Sequence, residues 1–302
     1  MKVWGKDFML DQKTSKTLYE LADELPDMTE VMGNFIDTEI IMSRNTATGG
    51  CTNEILGPQG TGKTSLMLNY ACRVMEKNPD ELVIWRDSYQ SPCQFNRVKK
   101  WEIFAERGTD LQFKDIDLNE VVDMPLTIFD NYNDLIEQMK PQQLNVVYVS
   151  DQVIGYIRLI NFLKTVKGWQ SIFIDEYEDI APLNCSGKKY HLIGALGSEM
   201  KNIRKGLVSL FCNTQSKSQI DWRVRVTFML ETYLSGARKD RGSSVYQEAI
   251  NKLEKGTAWV SWEGKFGRVN YPAFPPKAPI YVADDLNRVS ELDLVIAEMQ
   301  KQ

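Results

Sequence analysis

Histidine, paired cysteines and long apolar runs are what this 302-residue chain has least of. It contains one histidine, His191, and five cysteines, Cys51, Cys72, Cys93, Cys185 and Cys212, that never form a C-x-x-C pair. Structural zinc sites need clustered thiolate and imidazole ligands, so that class is excluded. Cysteines scattered like this are expected to be reduced and mostly buried. No apolar run approaches the length that spans a bilayer, and the start "MKVWGKDFMLDQKTSKT" has no signal-peptide core. No intrinsic membrane segment is therefore expected, and the cytoplasm is the expected location. Hydrophobic content of 43% and charged content of 25% are those of an ordinary globular protein.

Charge is unevenly spread. The net charge is −5, yet residues 201–250 carry nine basic and four acidic side chains, a local balance of +5, whereas residues 1–50 carry five basic and nine acidic, a balance of −4. One basic region in an acidic chain suits a local contact with phosphates, and it equally suits a solvated face.

The strongest signal is "ILGPQGTGKTS", which completes the pattern G-x-x-x-x-G-K-[ST] through Gly57, Gly62, Lys63 and Thr64. An apolar strand-like stretch precedes it and a helix-like stretch follows. That context lets the backbone of Gly57, Pro58, Gln59, Gly60, Thr61, Gly62, Lys63, Thr64 and Ser65 wrap phosphates at a helix N-terminus. Lys63 would reach the β- and γ-phosphates, and the Thr64 hydroxyl would sit on Mg²⁺. A nucleoside triphosphate, taken as ATP, is the expected cofactor together with Mg²⁺.

Strands are expected at "TNEILG", "ELVIWRDS", "LTIFD", "LNVVYVS", "SIFIDE", "LVSLFCNT" and "VRVTFMLET", with helices after the loop, at "DQVIGYIRLINFLKTV" and at "YHLIGALGSEMKNIRKG". Strands alternating with helices mean crossover units, hence an α/β fold with a mostly parallel sheet flanked by helices. Then "SSVYQEAINKLEKG" reads as a helix, and "TAWVSW" with "FGRVNYP" as a C-terminal antiparallel hairpin. The proline-rich "PAFPPKAP" marks an exit from the core, and "DDLNRVSELDLVIAEMQKQ" reads as an amphipathic helix. This divides the chain into an acidic N-terminal extension (1–50), an ATPase core (51–284) and a C-terminal helix (285–302).

"SIFIDEYEDIAP" supplies the second half of a nucleotide site. Asp175 ends a buried strand, where active groups of parallel sheets lie, and is the expected Mg²⁺ partner. Glu176, one residue on, can accept a proton from the attacking water. Glu178 and Asp179 read as solvated or helix-capping acids. "LVSLFCNTQ" ends in Asn213-Thr214-Gln215, an amide where it could contact the γ-phosphate or orient water.

With "GPQGTGKTS", "SIFIDE" and "NIRKGLVSLFCNTQSKSQIDWRVR" in hand, the chain resembles the FtsK–HerA superfamily of ATPases across roughly residues 50–235. The resemblance implies a RecA-like (ASCE) P-loop NTPase fold with an added strand between the loop strand and the Asp175 strand. It implies a homo-oligomeric ring, usually hexameric, with ATP at the interfaces and double-stranded DNA through the centre. Gln215 would take the polar sensing role, and an arginine would act in trans on a neighbour's γ-phosphate. Arg204 is the first candidate, with Arg223, Arg225 and Arg238 competing. Two departures stand out. The N-terminal domains of larger members are missing, and the long spacing from Lys63 to Asp175 marks residues 91–141 as an expected insertion. Both favour a viral or plasmid motor, recruited by a capsid, portal or other protein; a viral one would act in the host cytoplasm.

Pore-facing loops of such rings hold the DNA backbone without reading sequence. The expected contacts are Lys188 and Lys189 in a basic loop after the catalytic strand, and Lys265 and Arg268 in the hairpin. Two other readings compete. An AAA+-like protein remodeller would share the loop "GPQGTGKT" but needs a helical lid after the core. A nucleotide-switched assembly protein would hydrolyse slowly and move nothing.

Overall fold

The strands that build the centre of this protein are apolar on both faces, and the structure shows why. In the computed structural model, described over residues 2–3, 6–7, 44, 49–183, 185–225, 228, 230–237, 244–262, 265–271 and 279–286, every residue of β1 (Thr52–Leu56), β8 (Gln170–Ile174) and β9 (Val208–Thr214) is buried. Between β1 and β8 the chain runs through α1 (Lys63–Lys77), β2 (Leu82–Arg86), β3 (Trp101–Glu106), β4 (Leu111–Asp115), β5 (Glu120–Val122) and β6 (Leu126–Phe129). It continues through α2 (Tyr132–Gln138), β7 (Leu144–Tyr148) and α3 (Gln152–Leu163). After β8 come α4 (Gly187–Ile203), β9, the one-turn α5 (Trp222–Arg225), β10 (Leu230–Leu234) and α6 (Ser244–Asn251). The hairpin β11 (Thr257–Trp262) and β12 (Lys265–Asn270) and a last strand, β13 (Tyr281–Asp285), complete the described chain.

These strands form a ten-stranded sheet in the order β12–β11–β10–β1–β9–β8–β2–β7–β3–β6. From β10 to β6 all neighbours are parallel, and the β10–β11–β12 edge is antiparallel. The added strand is β9, which lies between β1 and β8. A small antiparallel sheet, β13–β4–β5, packs beside the main one.

Alternation along the strands divides the core in two. On one face Trp85, Phe173 and Phe211 occupy registered positions on β2, β8 and β9, with the Phe173 and Phe211 rings stacked at 4.5 Å. Tyr70 of α1 reaches Phe211 at 5.8 Å, which docks the helix after the phosphate-binding loop onto this aromatic row. On the other face Ile172, Ile174, Leu210 and Cys212 pack against α3 and α4. Burial on both faces favours continuous apolar strands over alternating ones. All five cysteines are free, and Cys51, Cys93 and Cys212 are buried.

Three expectations change. "VRVTFMLET" is not one strand: Val224 and Arg225 lie in α5, capped by Asp221, whose side chain accepts from Arg223 N at 2.9 Å, and the strand is Leu230–Leu234. Lys188 and Lys189 are in the first turn of α4 and not in a loop. Apolar Ile193, Leu196, Met200 and Ile203, spaced at three and four, carry the helix back to Gly187. The chain does not leave the core after the proline-rich stretch. It returns as β13, so Asp284 and Asp285 belong to a strand paired with β4. Residues 287–302 of the expected C-terminal helix lie outside the described residues, as does most of 1–50. Residues 91–141, where the pattern is weak, give the main sheet β3 and β6 and the small sheet β4 and β5.

Because Phe211 joins two strands and a helix, Phe211→Ala should lower unfolding free energy by about 3–5 kcal/mol in urea titrations, and a loss under 1 kcal/mol would remove the aromatic row from the foundations of the fold.

Candidate nucleotide site

At the carboxyl ends of β1, β9, β8 and β2 lies a cleft of about 720 Å³, lined by Gln59–Ser65, Ser88, Ser91, Pro92, Gln94, Arg97, Asp175, Glu176, Asn213, Gln215, Lys255, Gly256 and Tyr271. The loop leading into α1 turns through Gly60 (φ 79°) and Gly62 (φ 97°), the left-handed region that glycine enters without a Cβ penalty. Gly62 is the N-cap of α1. No side chain caps it and the first turn holds no acid, so its N–H groups and dipole are left to an anion. Tyr271, just after β12, donates its hydroxyl to Thr61 O at 3.2 Å and holds the loop from the hairpin side.

Lys63 folds back, its Nζ donating to Gly57 O at 2.7 Å and Pro58 O at 3.1 Å. Burial draws its ammonium below the usual range, against the pull of Asp175, Glu178 and Glu176. The Thr64 hydroxyl donates towards the Asp175 carboxylate at 3.2 Å. Burial pushes the Asp175 carboxyl up, opposed by its hydrogen bond from Asn213. A buried carboxylate beside a hydroxyl fits a divalent cation that takes hard oxygen ligands. Among the described residues no cluster of three acidic, histidine or cysteine side chains could cage a metal alone. Mg²⁺ held by one carboxylate, one hydroxyl, substrate phosphates and water suits that arrangement.

Asn213 organises the two acids. Its Nδ2 donates to Asp175 Oδ1 at 2.5 Å, and its Oδ1 accepts from Glu176 N at 3.0 Å. Glu176 sits in the left-handed region (φ 52°), a conformation that costs a non-glycine residue about 1 kcal/mol or more and that clusters at functional sites. From below, the buried guanidinium of Arg86 donates through Nη1 to the carbonyl of Asp175 and, at 3.4 Å, to that of Glu176. Its Nη2 binds Gln152 Oε1 and Asp179 Oδ2, each at 3.0 Å. Asp179 thus anchors Arg86, and Glu178, half-buried, accepts from Gln215 N at 3.3 Å; neither acid is simply solvated.

No protein-family model matches the sequence, and no curated protein matches it. Solved structures do match the fold. The genome packaging NTPase B204 of Sulfolobus turreted icosahedral virus 2, in complex with ATPγS, aligns with a TM-score of 0.50 at 13% identity, over 73% of this chain and 97% of that one. The same NTPase with AMPPCP gives a TM-score of 0.51 at 12% identity, over 74% and 98%. This chain has the RecA-like P-loop ATPase fold. In that fold the strand between the loop strand and the acidic strand is β9, and its end presents Asn213 to both acids.

The RecA-like frame brings Lys63, Thr64, Asp175, Glu176 and Gln215 into one cleft. Gln215 is exposed at the rim, and the buried amide two residues earlier holds the acids. Arg204 is elsewhere. It precedes β9, at the opposite end of the sheet from the cleft, and its Nε donates to Gly50 O at 2.6 Å. Arg223 is stacked 4.0 Å over Tyr190 and paired with Asp221 at 2.7 Å, and Arg238 lies outside the described residues. Lys188 and Lys189 lie on α4, while Lys265 opens β12 at the end of the sheet away from the cleft. Arg97 and Tyr271 line the cleft although sequence reasoning passed over both. Arg97 lies in "IWRDSYQSPCQFNRVKKW", which mixes aromatic and basic residues without a period that would place it.

Replacing Asn213 by alanine should cut nucleotide turnover about 10- to 100-fold, as loss of an orienting partner typically does, with ATPγS affinity changed no more than a few-fold. Unchanged turnover would reduce the bridge to packing.

Proposed function

We propose that this protein is an ATP-hydrolysing, ring-forming motor that moves double-stranded DNA, of the translocase or genome-packaging kind. The observation that carries the reading is the constellation of Asp175, Asn213 and Glu176 at adjoining strand ends with Thr64 in the first turn of α1, whose N-terminus no side chain caps. Lys63 and the N–H groups of the loop hold the phosphates, and Thr64 and Asp175 hold Mg²⁺, which when bound neutralises developing charge on the phosphates. Glu176, held out from its strand by the left-handed turn, takes the proton of the attacking water. Gln215 at the rim contacts the water or the terminal phosphate.

Support for a ring comes from beside the loop, where a hollow of about 310 Å³ is lined by Pro58, Gln59, Gln215, Ser216, Ser218, Gln219 and Gly236. None of those lining residues is cationic, which suits a neighbouring subunit that supplies an arginine. Arg204, at the far end of the sheet, remains the first candidate for that arginine because a trans group must lie away from its own cleft. DNA contacts are assigned to Lys188, Lys189, Lys265 and Arg268, and recruitment to a capsid, portal or similar protein in the cytoplasm. The packaging NTPase that shares the fold was solved with ATP analogues, which favours ATP as the nucleotide. Residues 91–141 are a lineage-specific insertion, and 1–50 and 285–302 are its flanking segments. Among the described residues no helix is long and apolar enough to cross a membrane.

The test is ATP turnover with and without double-stranded DNA, for the unaltered protein and for Glu176→Gln. DNA should raise the rate several-fold, and the substitution should abolish turnover. Turnover indifferent to DNA but lost with Glu176→Gln would leave the site standing and favour the nucleotide-switched protein.

A further inference from the structure

Arg97 lies in the nucleotide cleft but has no part in the scheme above. It ends a 3-10 turn, Phe95–Arg97, just after β2. Its Nη2 donates to the hydroxyl of Ser65 at 2.9 Å and its Nη1 to Gln94 Oε1 at 2.7 Å. Ser65 directly follows the Mg²⁺-binding threonine in the first turn of α1, so the guanidinium lies against the helix end where an anion is expected.

The mount is stiff. Gln94 N donates to the buried Asp87 carboxylate at 2.9 Å, and that carboxylate also accepts from Trp85 Nε1 at 3.0 Å. Phe95 is fully buried, edge-on to Trp101 at 4.9 Å and to Phe113 at 6.0 Å. Asn96 donates to Pro279 O at 2.9 Å, and Cys93 N donates to Tyr281 O at 2.7 Å. A turn held by this many buried contacts holds its terminal side chain in one place, as a preorganised binding group requires. Burial draws the Arg97 guanidinium below its usual range, and the nearby Asp175 carboxylate pulls the other way.

We propose that Arg97 is a second phosphate-binding cation acting in cis, exchanging Ser65 for the phosphate chain of the bound nucleotide. The proposal rests on the nucleotide-site reading above. Planar, forked N–H groups match phosphate oxygens in a way that a lysine does not, so the pair Lys63 and Arg97 would grip the chain as one point charge and one fork. Residues 91–98 then contribute directly to the chemistry of the site.

The test measures affinity for adenosine, AMP, ADP and ATPγS, with Mg²⁺, in the unaltered protein, Arg97→Ala and Arg97→Lys, with the melting midpoint of each ligand-free protein as a check on folding. Arg97→Ala should leave adenosine binding unchanged and weaken the phosphorylated ligands about 10- to 100-fold, the range of one charge-assisted contact. Arg97→Lys should fall between. Equal weakening of adenosine and ATPγS would show that Arg97 only shapes the cleft, and unchanged ATPγS affinity in Arg97→Ala would show that it does not touch phosphate; either overturns the proposal. Should Arg97→Ala fail to fold, Arg97→Lys decides alone, since a phosphate contact requires it to lose ATPγS affinity and keep adenosine affinity. If the unaltered protein bound none of the four, the nucleotide-site reading itself would fall.

Discussion

A carboxamide can give a hydrogen bond at one end and take one at the other, and Asn213 uses both ends within a single turn of chain. Its amino group faces the carboxylate of Asp175, and its oxygen takes the N–H of Glu176. That arrangement requires a strand between the phosphate-binding loop and the acidic strand, and β9 is that strand, with Asn213 registered against Ile55 of β1. It also requires Glu176 to turn left-handed so that its N–H faces back towards the sheet. Arg86 holds the carbonyls of the same two residues from underneath. Two consecutive acids are thereby sent to two different tasks. Without the bridge, the strained turn loses its restraint and the two carboxylates lose their separation.

Electrostatics give the same site its appetite. Asp175, Asp87 and Glu178 all have carboxyls raised by burial, with Asp87 pushed up to about 7. Burial disfavours the ionised form of each of these acids. Beside them Lys63 is pulled down by burial and folded onto backbone carbonyls. A divalent cation among the acids and a phosphate chain over the lysine relieve both at once. The geometry therefore has the form of a site shaped around charges that arrive together.

Much of this was legible in the sequence because the relevant signals are local. Gly57 to Ser65 must turn where glycines stand, and "SIFIDE" must be a doubly buried strand ending in acid. The alternation of apolar strands and helices then leaves little choice but a mostly parallel sheet. What stayed hidden depended on partners far apart in the chain. Asn213 and Gln215 look equivalent as amides ending a strand, but Asn213 is buried within β9 whereas Gln215 lies past its end and is exposed. Arg97 sits in a stretch without clear periodicity, placed by contacts of Phe95 and Asn96 with Phe113 and Pro279 from two distant segments. Lys188 and Lys189 followed a glycine and a serine and so read as a loop, although the apolar spacing further on extends α4 over them. Asp284 and Asp285 followed prolines, yet pairing with β4, some 170 residues earlier, makes them strand.

The most direct test of the account is a structure of the protein with Mg²⁺ and ATPγS. The Asn213 amide should still join Asp175 to Glu176 N, the Thr64 hydroxyl should have moved from Asp175 to the metal, and Lys63 should have left Gly57 for the phosphates. A complex with nucleotide in the cleft but Asn213 turned away from both acids would contradict the central claim, because the two carboxylates would then be held apart by something else.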